Sequence, residues 1–302
     1  MDMMTDLYPS RVRNRPSITD RRDPVVYGRP ESGPLTAEQL ANYDRDGFLA
    51  FERFFTEEEV ADYKAELDRM FTWAATADED RIIREPGSDD VRSIFAVHRD
   101  NSVFARLVAD PRVAGMARQI LGSDVYVHQS RINFKGGFVG KEFYWHSDFE
   151  TWHVEDGMPR MRALSMSIAL SENTPHNGPL MLVPGSHKRY VSCVGETPDD
   201  HYKDSLRKQE LGTPDQDSLT ALVEEGGIVA PTGPAGSLVM FDCNTMHGSN
   251  SNITPVPRSN IFIVFNSVEN RLTAPFGGTR PRPEFIGHRT GAEVIGATRT
   301  AA

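Results

Sequence analysis

At residues 143–153 the chain reads Phe143-Tyr-Trp-His-Ser-Asp-Phe-Glu-Thr-Trp-His153. His146 and Asp148 are two residues apart, and in an extended strand this spacing puts both side chains on one face, roughly 7 Å apart along the chain. A third candidate ligand, His247, follows a predicted strand and precedes a Gly-Ser pair. We therefore expect two non-adjacent strands to bring these side chains to one metal ion, although a lone His-x-Asp pair also occurs at ordinary strand ends.

Two imidazoles and one carboxylate form the facial triad of non-heme Fe(II) oxygenases, which leaves coordination positions open for a co-substrate and O₂. The same ligands would also suit Zn²⁺ in a hydrolase, but that enzyme needs a general base. Glu150 is the obvious candidate for the base. The sequence does not fix its position relative to the metal, and the same holds for Glu172 and Glu269. Iron is therefore the first choice and zinc the second.

The other histidines compete less well as ligands. His153 lies five residues past Asp148, a spacing that fits neither strand parity nor one helical face. His187 lies in a Pro-Gly-Ser-His turn, where a histidine is more often a surface or hydrogen-bonding group. The remaining five have no carboxylate at useful spacing: His98, His128, His176, His201 and His288.

The composition excludes several classes of function. The 302 residues carry a formal net charge of −10 with a pI near 5.4, a balance that repels nucleic acids and anionic membranes. No run approaches the roughly 18 apolar residues that a membrane span needs, and no signal peptide is recognised. Cys193 and Cys243 are the only cysteines, which favours a reducing compartment. We therefore expect a cytoplasmic protein.

The first part of the chain indicates an arm followed by helices. Residues 1–34 are rich in Arg, Pro and Asp, and we expect them to extend over the surface as an arm. Two capping boxes then predict the starts of two helices, Thr36 with Gln39 and Thr56 with Glu59.

Strand-like patterns begin after a third helical zone at 102–121. Over residues 125–134 the pattern alternates, so that the odd-numbered residues, including Gln129 and Arg131, are expected to share one face. Further strands are predicted at 143–149, 162–172, 179–183, 237–243 and 259–268. Helices followed by many strands argue for an α+β, mostly β fold built around a sandwich or barrel.

We assign residues 35–290 to a single domain. Within it, residues 185–227 are polar and weakly patterned, and we expect them to form an insertion or lid. From Ala274 onward Gly, Pro and Arg cluster, which predicts poor structure, and 291–302 is expected to be a tail.

Two segments resemble the phytanoyl-CoA dioxygenase-type branch of the Fe(II)/2-oxoglutarate dioxygenases. One is Asn177-Gly-Pro-Leu-Met-Leu-Val-Pro-Gly-Ser-His187, and the other is the opening stretch continued to Ala163, which closely resembles the signature of the ectoine hydroxylases. The similarity extends over about residues 35–290, with no departure at the ligand positions. It implies a double-stranded β-helix (jelly-roll, cupin-like) core with N-terminal helices packed on it, a homodimer, and ectoine hydroxylation with 2-oxoglutarate and O₂ as co-substrates.

The far carboxylate of 2-oxoglutarate needs a cation. Arg258 begins the strand after His247, so a hairpin would return it to the barrel, and a guanidinium binds a carboxylate through two hydrogen bonds. Ser249 would add a hydroxyl group. The resemblance further supports Lys135, and Asn133 on the same strand is another candidate for binding 2-oxoglutarate. For each cation the alternative is a solvated surface charge.

Ectoine carries a carboxylate and a cationic amidine ring, so its site should combine an aromatic face with polar groups. Trp152 suits the ring through a cation–π contact, although chemistry alone would leave it in the core. The other predicted substrate contacts are Gln129, Arg131, Thr151 and Phe241, and Arg131 would serve 2-oxoglutarate equally well.

Two other functions remain open at this point. One is an iron enzyme acting on another small cyclic amino acid, such as proline, or on an acyl-CoA thioester, which would need a basic patch that the chain does not offer. The other is a non-catalytic jelly-roll binding protein that holds a structural metal with a fourth protein ligand.

Overall fold

The computed structural model of the chain describes residues 5–295. Both capping boxes begin helices as predicted, since the hydroxyl groups of Thr36 and Thr56 each accept a hydrogen bond from the backbone N–H three residues later. The α-helices in this range are α1 (Ala37–Asp46), α2 (Glu57–Ala74), α3 (Val97–Asp100), α4 (Ser102–Ala109), α5 (Pro111–Leu121), α6 (Asp148–Thr151), α7 (Tyr202–Ser205) and α8 (Gln216–Gly226). None of the helices described here is both long and apolar enough to cross a membrane.

The strands found within residues 5–295 form three antiparallel sheets. They are β1 (Ser17–Asp20), β2 (Phe48–Phe51), β3 (Ile82–Arg84), β4 (Val91–Phe95), β5 (Val125–Lys135), β6 (Phe143–His146), β7 (Ala163–Ala169), β8 (Met181–Leu182), β9 (Arg189–Ser192), β10 (Leu238–Asp242), β11 (His247–Ser249), β12 (Arg258–Ser267) and β13 (Val294–Ile295). The large sheet has the order β2-β10-β7-β12-β5-β4-β3, with β13 on β5; the small sheet has the order β6-β11-β8; and β1 pairs with β9.

The two main sheets face each other, and helices α1, α2, α4 and α5 cover the outer face of the large one. Along β12, Ile261, Ile263 and Phe265 point into the main core with residues of α2, α4 and α5. Phe262 points the other way, into a smaller apolar cluster with Leu182 of the small sheet. Both faces of β12 are therefore buried, as in a jelly roll with helices packed on one side. The predicted fold class is confirmed.

Strand β5 departs from simple alternation. Opposite it, the register of β12 shifts, so that Gln129 pairs with Val264 but Val127 pairs with Phe265. His128 is the extra residue. Because a bulge turns the side chains on its two sides to opposite faces, Val127 packs in the helix-side core while Gln129 lines a cavity on the other side. The prediction of one continuous alternation along this strand was wrong.

The N-terminal arm is built into the fold. Its residues Tyr8, Ser10 and Arg11 are buried, and β1 adds an antiparallel strand to β9. The arm therefore does more than cover the surface as expected.

The C-terminal segment also packs. Ile286 is fully buried, and β13 pairs with β5, so the expectation of poor structure after Ala274 was wrong for residues up to 295. The remainder of the predicted tail, 296–302, lies outside the described residues. The polar segment 185–227 contains β9, α7 and α8.

Candidate metal centre and adjoining cavity

The three predicted ligands come from two neighbouring strands and one helix. His146 ends β6, and His247 begins β11 directly opposite it in an antiparallel pair. After Ser147 the chain turns into α6, whose first residue is Asp148. The predicted strand over 143–149 therefore stops short of Asp148, and the two ligand-bearing strands are adjacent, contrary to expectation.

The geometry of these side chains fits one metal ion. Oδ1 of Asp148 lies 3.7 Å from Nε2 of His146 and 3.9 Å from Nε2 of His247, and the three ligand atoms lie within 4.8 Å of one another. Nδ1 of each imidazole is bonded to a backbone carbonyl, of Tyr144 at 2.6 Å and of Thr245 at 2.9 Å. Each Nδ1 therefore carries the proton, and each Nε2 is left to bind the metal.

The electrostatics favour the protonation states that bind metal. Burial alone would raise the pKa of Asp148, but the imidazoles of His247 and His146 and the guanidinium of Arg131 hold it well below its usual range. Burial, together with the neighbouring His146, lowers the pKa of His247 to about 4. Oδ2 of Asp148 accepts a hydrogen bond from Ser165 at 3.0 Å. An ionised, oriented carboxylate beside the neutral imidazole of His247 is the state in which these two groups coordinate a cation.

The competing histidines are engaged elsewhere. Nε2 of His153 is bonded to Asp6 at 2.9 Å and its Nδ1 to the carbonyl of Met158 at 2.8 Å. Nε2 of His187 is bonded to the carbonyl of Asp44 at 3.1 Å. Within residues 5–295, the predicted triad is the one group of three or more potential ligands close enough to hold an ion.

The base that a zinc hydrolase would need is not free. Both carboxylate oxygens of Glu150 accept hydrogen bonds from Arg11, and one of them also accepts from Ser10. Glu172 and Glu269 are exposed and do not line the cavity beside the triad. The donor set and its surroundings therefore favour iron.

Two buried basic side chains, Arg258 and Lys135, lie where the far carboxylate of 2-oxoglutarate is expected to bind. Arg258 is buried; its Nη1 donates to Asn260 at 3.3 Å, and its Nε has no hydrogen-bond partner. Nζ of Lys135 donates to Ser249 at 2.8 Å and to the carbonyl of Asn250 at 2.5 Å. Burial lowers the pKa of Arg258 to about 10, and burial with Arg258 and Arg92 nearby lowers the pKa of Lys135 to about 6.

Both lowered pKa values result mainly from the burial of a basic side chain. Among residues 5–295 neither side chain forms an ion pair with a carboxylate, so the charged form of each is costly in this dry site unless an anion binds there. The fold brings Lys135, Arg258 and Ser249 together as expected. Asn133 lies on the same strand as Lys135, but its side-chain oxygen already accepts a hydrogen bond from Ser93 at 2.7 Å.

A cavity opens beside the triad, and His146 and Asp148 form part of its wall. Phe241 is not part of that wall, but its ring centroid lies 4.8 Å from that of His247. The other four residues predicted to contact the substrate all line the cavity: Gln129, Arg131, Thr151 and Trp152.

The rest of the lining had no signal in the sequence. Arg282 belongs to the segment that was expected to be poorly structured, yet its guanidinium donates to both carboxylate oxygens of Asp156, at 2.9 and 2.6 Å. The 205–211 part of the wall lies in the predicted lid, where only the segment could be named in advance. The missed residues are Glu155, Ser205, Leu206, Gln209, Leu211 and Arg282.

A jelly roll with two histidines and one aspartate at its mouth is the architecture of non-heme iron dioxygenases. The comparisons agree with this class. The family model of phytanoyl-CoA dioxygenase (PhyH) matches residues 43–260. The ectoine dioxygenase of Stutzerimonas stutzeri is 60% identical over 288 residues, which cover 95% of each chain. The chain therefore belongs to the phytanoyl-CoA dioxygenase family, among the ectoine dioxygenases.

Solved structures agree with the fold. A crystal structure of EctD from S. alaskensis with 2-oxoglutarate and 5-hydroxyectoine is 52% identical, with a TM-score of 0.86, covering 94% of this chain and 95% of that one. A second, with bound Fe, is 49% identical at a TM-score of 0.86, covering 97% of this chain and 98% of the other. The first of these structures contains 2-oxoglutarate and the second contains iron.

Proposed function

We propose that this chain hydroxylates ectoine to 5-hydroxyectoine with Fe(II), 2-oxoglutarate and O₂, releasing succinate and CO₂. The observation that carries the proposal is the arrangement of one cavity: His146 and Asp148 of the iron triad form part of its wall, and residues suited to ectoine line the same space. The high identity to ectoine dioxygenases over nearly the whole chain supports the same substrate.

The iron would be held by Nε2 of His146, Nε2 of His247 and Oδ1 of Asp148. When bound, iron and 2-oxoglutarate supply the oxidising power, because decarboxylation of the keto acid activates O₂ for hydroxylation. The far carboxylate of 2-oxoglutarate would pair with the guanidinium of Arg258 and stabilise the protonated form of Lys135, which lowers the electrostatic cost of burying these basic groups. Ser249 would donate a further hydrogen bond, and Asn133 stays a weaker candidate because Ser93 uses its side-chain oxygen.

The cavity offers complementary groups for a small zwitterion. Trp152 presents an aromatic face for the amidine ring, while Gln129 and Thr151 supply polar contacts. Two guanidinium groups in the wall, Arg131 and Arg282, are suited to the carboxylate of the substrate. Phe241, packed on His247, would exclude water from the metal.

The test is the formation of succinate and of hydroxylated product across a small panel of osmolytes. With Fe(II), 2-oxoglutarate and O₂ supplied, ectoine should stimulate succinate formation and proline should not. The Asp148→Ala variant should lose turnover and keep its fold, whereas His187→Gln, a buried histidine bonded to a backbone carbonyl, should still turn over. Equal succinate formation without ectoine, or stimulation only by another cyclic amino acid, would reject the assignment. Unfolding of the Asp148→Ala variant would instead favour a structural ion.

We further propose that the enzyme works in the cytoplasm as a homodimer and makes a compatible solute for osmotic stress. Both cysteines are buried and unpaired, which suits a reducing compartment. Sedimentation at several protein concentrations would test the dimer.

A further inference from the structure

We infer that Arg11, in the N-terminal arm, is a positioning residue of the active site. It holds residues 148–156, the segment that supplies a metal ligand and part of the cavity wall, in the conformation that the reaction needs. The sequence placed Arg11 in a surface arm far from any chemistry, so nothing in the local pattern indicated this role.

All three guanidinium nitrogens of Arg11 donate hydrogen bonds. Its Nε and Nη2 donate to the two carboxylate oxygens of Glu150 at 3.0 and 2.7 Å. Its Nη1 donates to Glu155 at 2.7 Å and to the hydroxyl of Thr197 at 2.8 Å. All three ionised side chains are buried. One guanidinium therefore bridges two carboxylates of the same segment, and its planar fork fixes their relative orientation.

The backbone conformation and hydrogen bonds around Arg11 position its side chain. Arg11 has a φ of 58°, in the left-handed region that a residue with a Cβ adopts only at a cost. Its N–H donates to the carbonyl of Cys193, and the hydroxyl of Ser10 donates to Glu150 at 2.6 Å. Strain that is retained together with several specific contacts indicates that the conformation is over-determined by its surroundings.

The cluster of Arg11, Glu150 and Glu155 lies between the cavity and the chain at Gly212. Glu150 lies between Asp148 and Thr151, while Glu155 lines the cavity itself. On the other side the chain passes directly over the pair at Gly212, where an added Cβ would lie 2.4 Å from Oε2 of Glu150 and 2.5 Å from Nη2 of Arg11. Gly212, which follows the cavity-lining residue Leu211, therefore packs against this pair.

Loss of Arg11 would leave Glu150 buried without its cation, and Glu155 with only the longer contact to Arg282, whose Nε lies 3.8 Å from Oε2 of Glu155. The segment 148–156 would then have to move or take up water, and the charge of Glu155 would act on a cavity that receives a substrate carboxylate. The cations proposed for 2-oxoglutarate lie on β5 and β12 and do not contact this cluster. Removing Arg11 should therefore weaken ectoine binding selectively.

The kinetic test rests on the proposed function and compares Arg11→Ala and Arg11→Lys with the control Arg13→Ala, which changes an exposed arginine of the same arm. Arg11→Ala should raise KM for ectoine about tenfold or more, with KM for 2-oxoglutarate changed less than about twofold. Succinate formed per hydroxylated product should also rise. Arg11→Lys keeps a charge but not the fork, so its KM for ectoine should lie between the two. If Arg11→Ala does not fold, Arg11→Lys carries the test.

A second readout does not depend on turnover. Amide hydrogen exchange in residues 148–156 should accelerate in both Arg11 variants and stay at the wild-type rate in Arg13→Ala. A lower melting temperature with unchanged KM for ectoine and unchanged exchange in 148–156 would mean that Arg11 only stabilises the fold, and the inference fails. If the wild-type enzyme itself does not hydroxylate ectoine, the proposed function fails, and the exchange experiment still decides the positioning role.

Discussion

Lys135 and Arg258 lie directly opposite each other on β5 and β12, so two buried basic side chains share one position of the sheet. Neither makes an ion pair with a carboxylate among the residues described from 5 to 295. An arrangement that costs folding free energy and lies near the metal triad is best explained as a preformed anion site. It makes the ligand-free protein less stable than it would otherwise be, which can be measured.

Replacing Arg258 with Met should therefore stabilise the ligand-free protein while removing co-substrate binding. The free energy of unfolding should rise by about 1–3 kcal/mol because an unsatisfied buried cation is lost. The affinity for 2-oxoglutarate should fall about 100-fold or more, since its carboxylate loses a two-point partner. Thermal unfolding without metal, and titration with 2-oxoglutarate, measure the two effects. Arg106→Met, at an exposed arginine of α4, should change neither; a destabilised Arg258→Met variant with normal 2-oxoglutarate affinity would contradict the assignment.

Lys135 should make the stability of the ligand-free protein depend on pH. Burial and the neighbouring arginines lower its pKa from 10.5 to about 6. Between these values the unfolded chain binds a proton that the folded protein does not, so the free energy of unfolding should increase as the pH rises. The slope from this one group is at most about 1.4 kcal/mol per pH unit. Chemical denaturation at several pH values from 6 to 9 measures it.

Lys135→Met should flatten that pH dependence, and the exposed Lys64→Met should leave it as in the wild type. Saturating 2-oxoglutarate should flatten it too, because a bound carboxylate restores the proton of Lys135. Identical slopes in the wild type and in Lys135→Met would show that Lys135 is charged at neutral pH even without an anion.

Ser165 should tune the metal through Asp148. Its hydroxyl donates to Oδ2 of Asp148 at 3.0 Å, which directs Oδ1 towards the two imidazoles. Removing such an outer hydrogen bond typically weakens metal binding by about 10–100-fold. Ser165→Ala should therefore show that loss in an Fe(II) titration without co-substrate. The control is Ser167→Ala on the same face of β7, where the hydroxyl accepts from Asn260; a normal Fe(II) affinity in Ser165→Ala would mean that Asp148 is oriented by its backbone alone.

The sequence was informative where a function is carried by a local pattern. His146 and Asp148 fall within one short stretch, and Arg258 opens a strongly patterned strand, so each could be named in advance. The alternating pattern on β5 nevertheless concealed a bulge, because the extra residue, His128, only shows itself in the pairing with β12. Asp148 likewise belongs to a helix, since the chain turns immediately after β6.

Residues that reach the site from the chain ends could not be predicted in this way. Arg11 and Arg282 occur in segments rich in Arg, Pro and Gly, which have no helical or strand periodicity. Both are buried only because an acidic partner from the segment 148–156 meets them, Glu150 in one case and Asp156 in the other. Such pairs depend on tertiary packing, which composition and periodicity do not reveal.

Trp152 gives the sharpest distinction between a substrate contact and a core residue. It is 3% exposed, lines the cavity, and its ring meets that of His128 edge to face at 5.1 Å. Trp152→Phe keeps an aromatic face and most of the packing, so the fold should persist with a modest rise in KM for ectoine. Trp152→Ala removes the face, and a lost cation–π contact of roughly 0.5–2 kcal/mol corresponds to a rise in KM of about 2- to 30-fold.

The same Ala variant also loses core packing, by about 3–5 kcal/mol for a buried aromatic residue, so stability must be measured beside the kinetics. If Trp152 contacts the substrate, KM for ectoine should rise in both variants. KM for 2-oxoglutarate should stay constant, because Lys135 and Arg258 lie on β5 and β12. Trp73→Phe on α2, at a tryptophan outside the cavity, is the control and should leave both constants unchanged. If the two Trp152 variants lose stability but bind ectoine normally, Trp152 is a core residue and the amidine ring must lie elsewhere in the cavity.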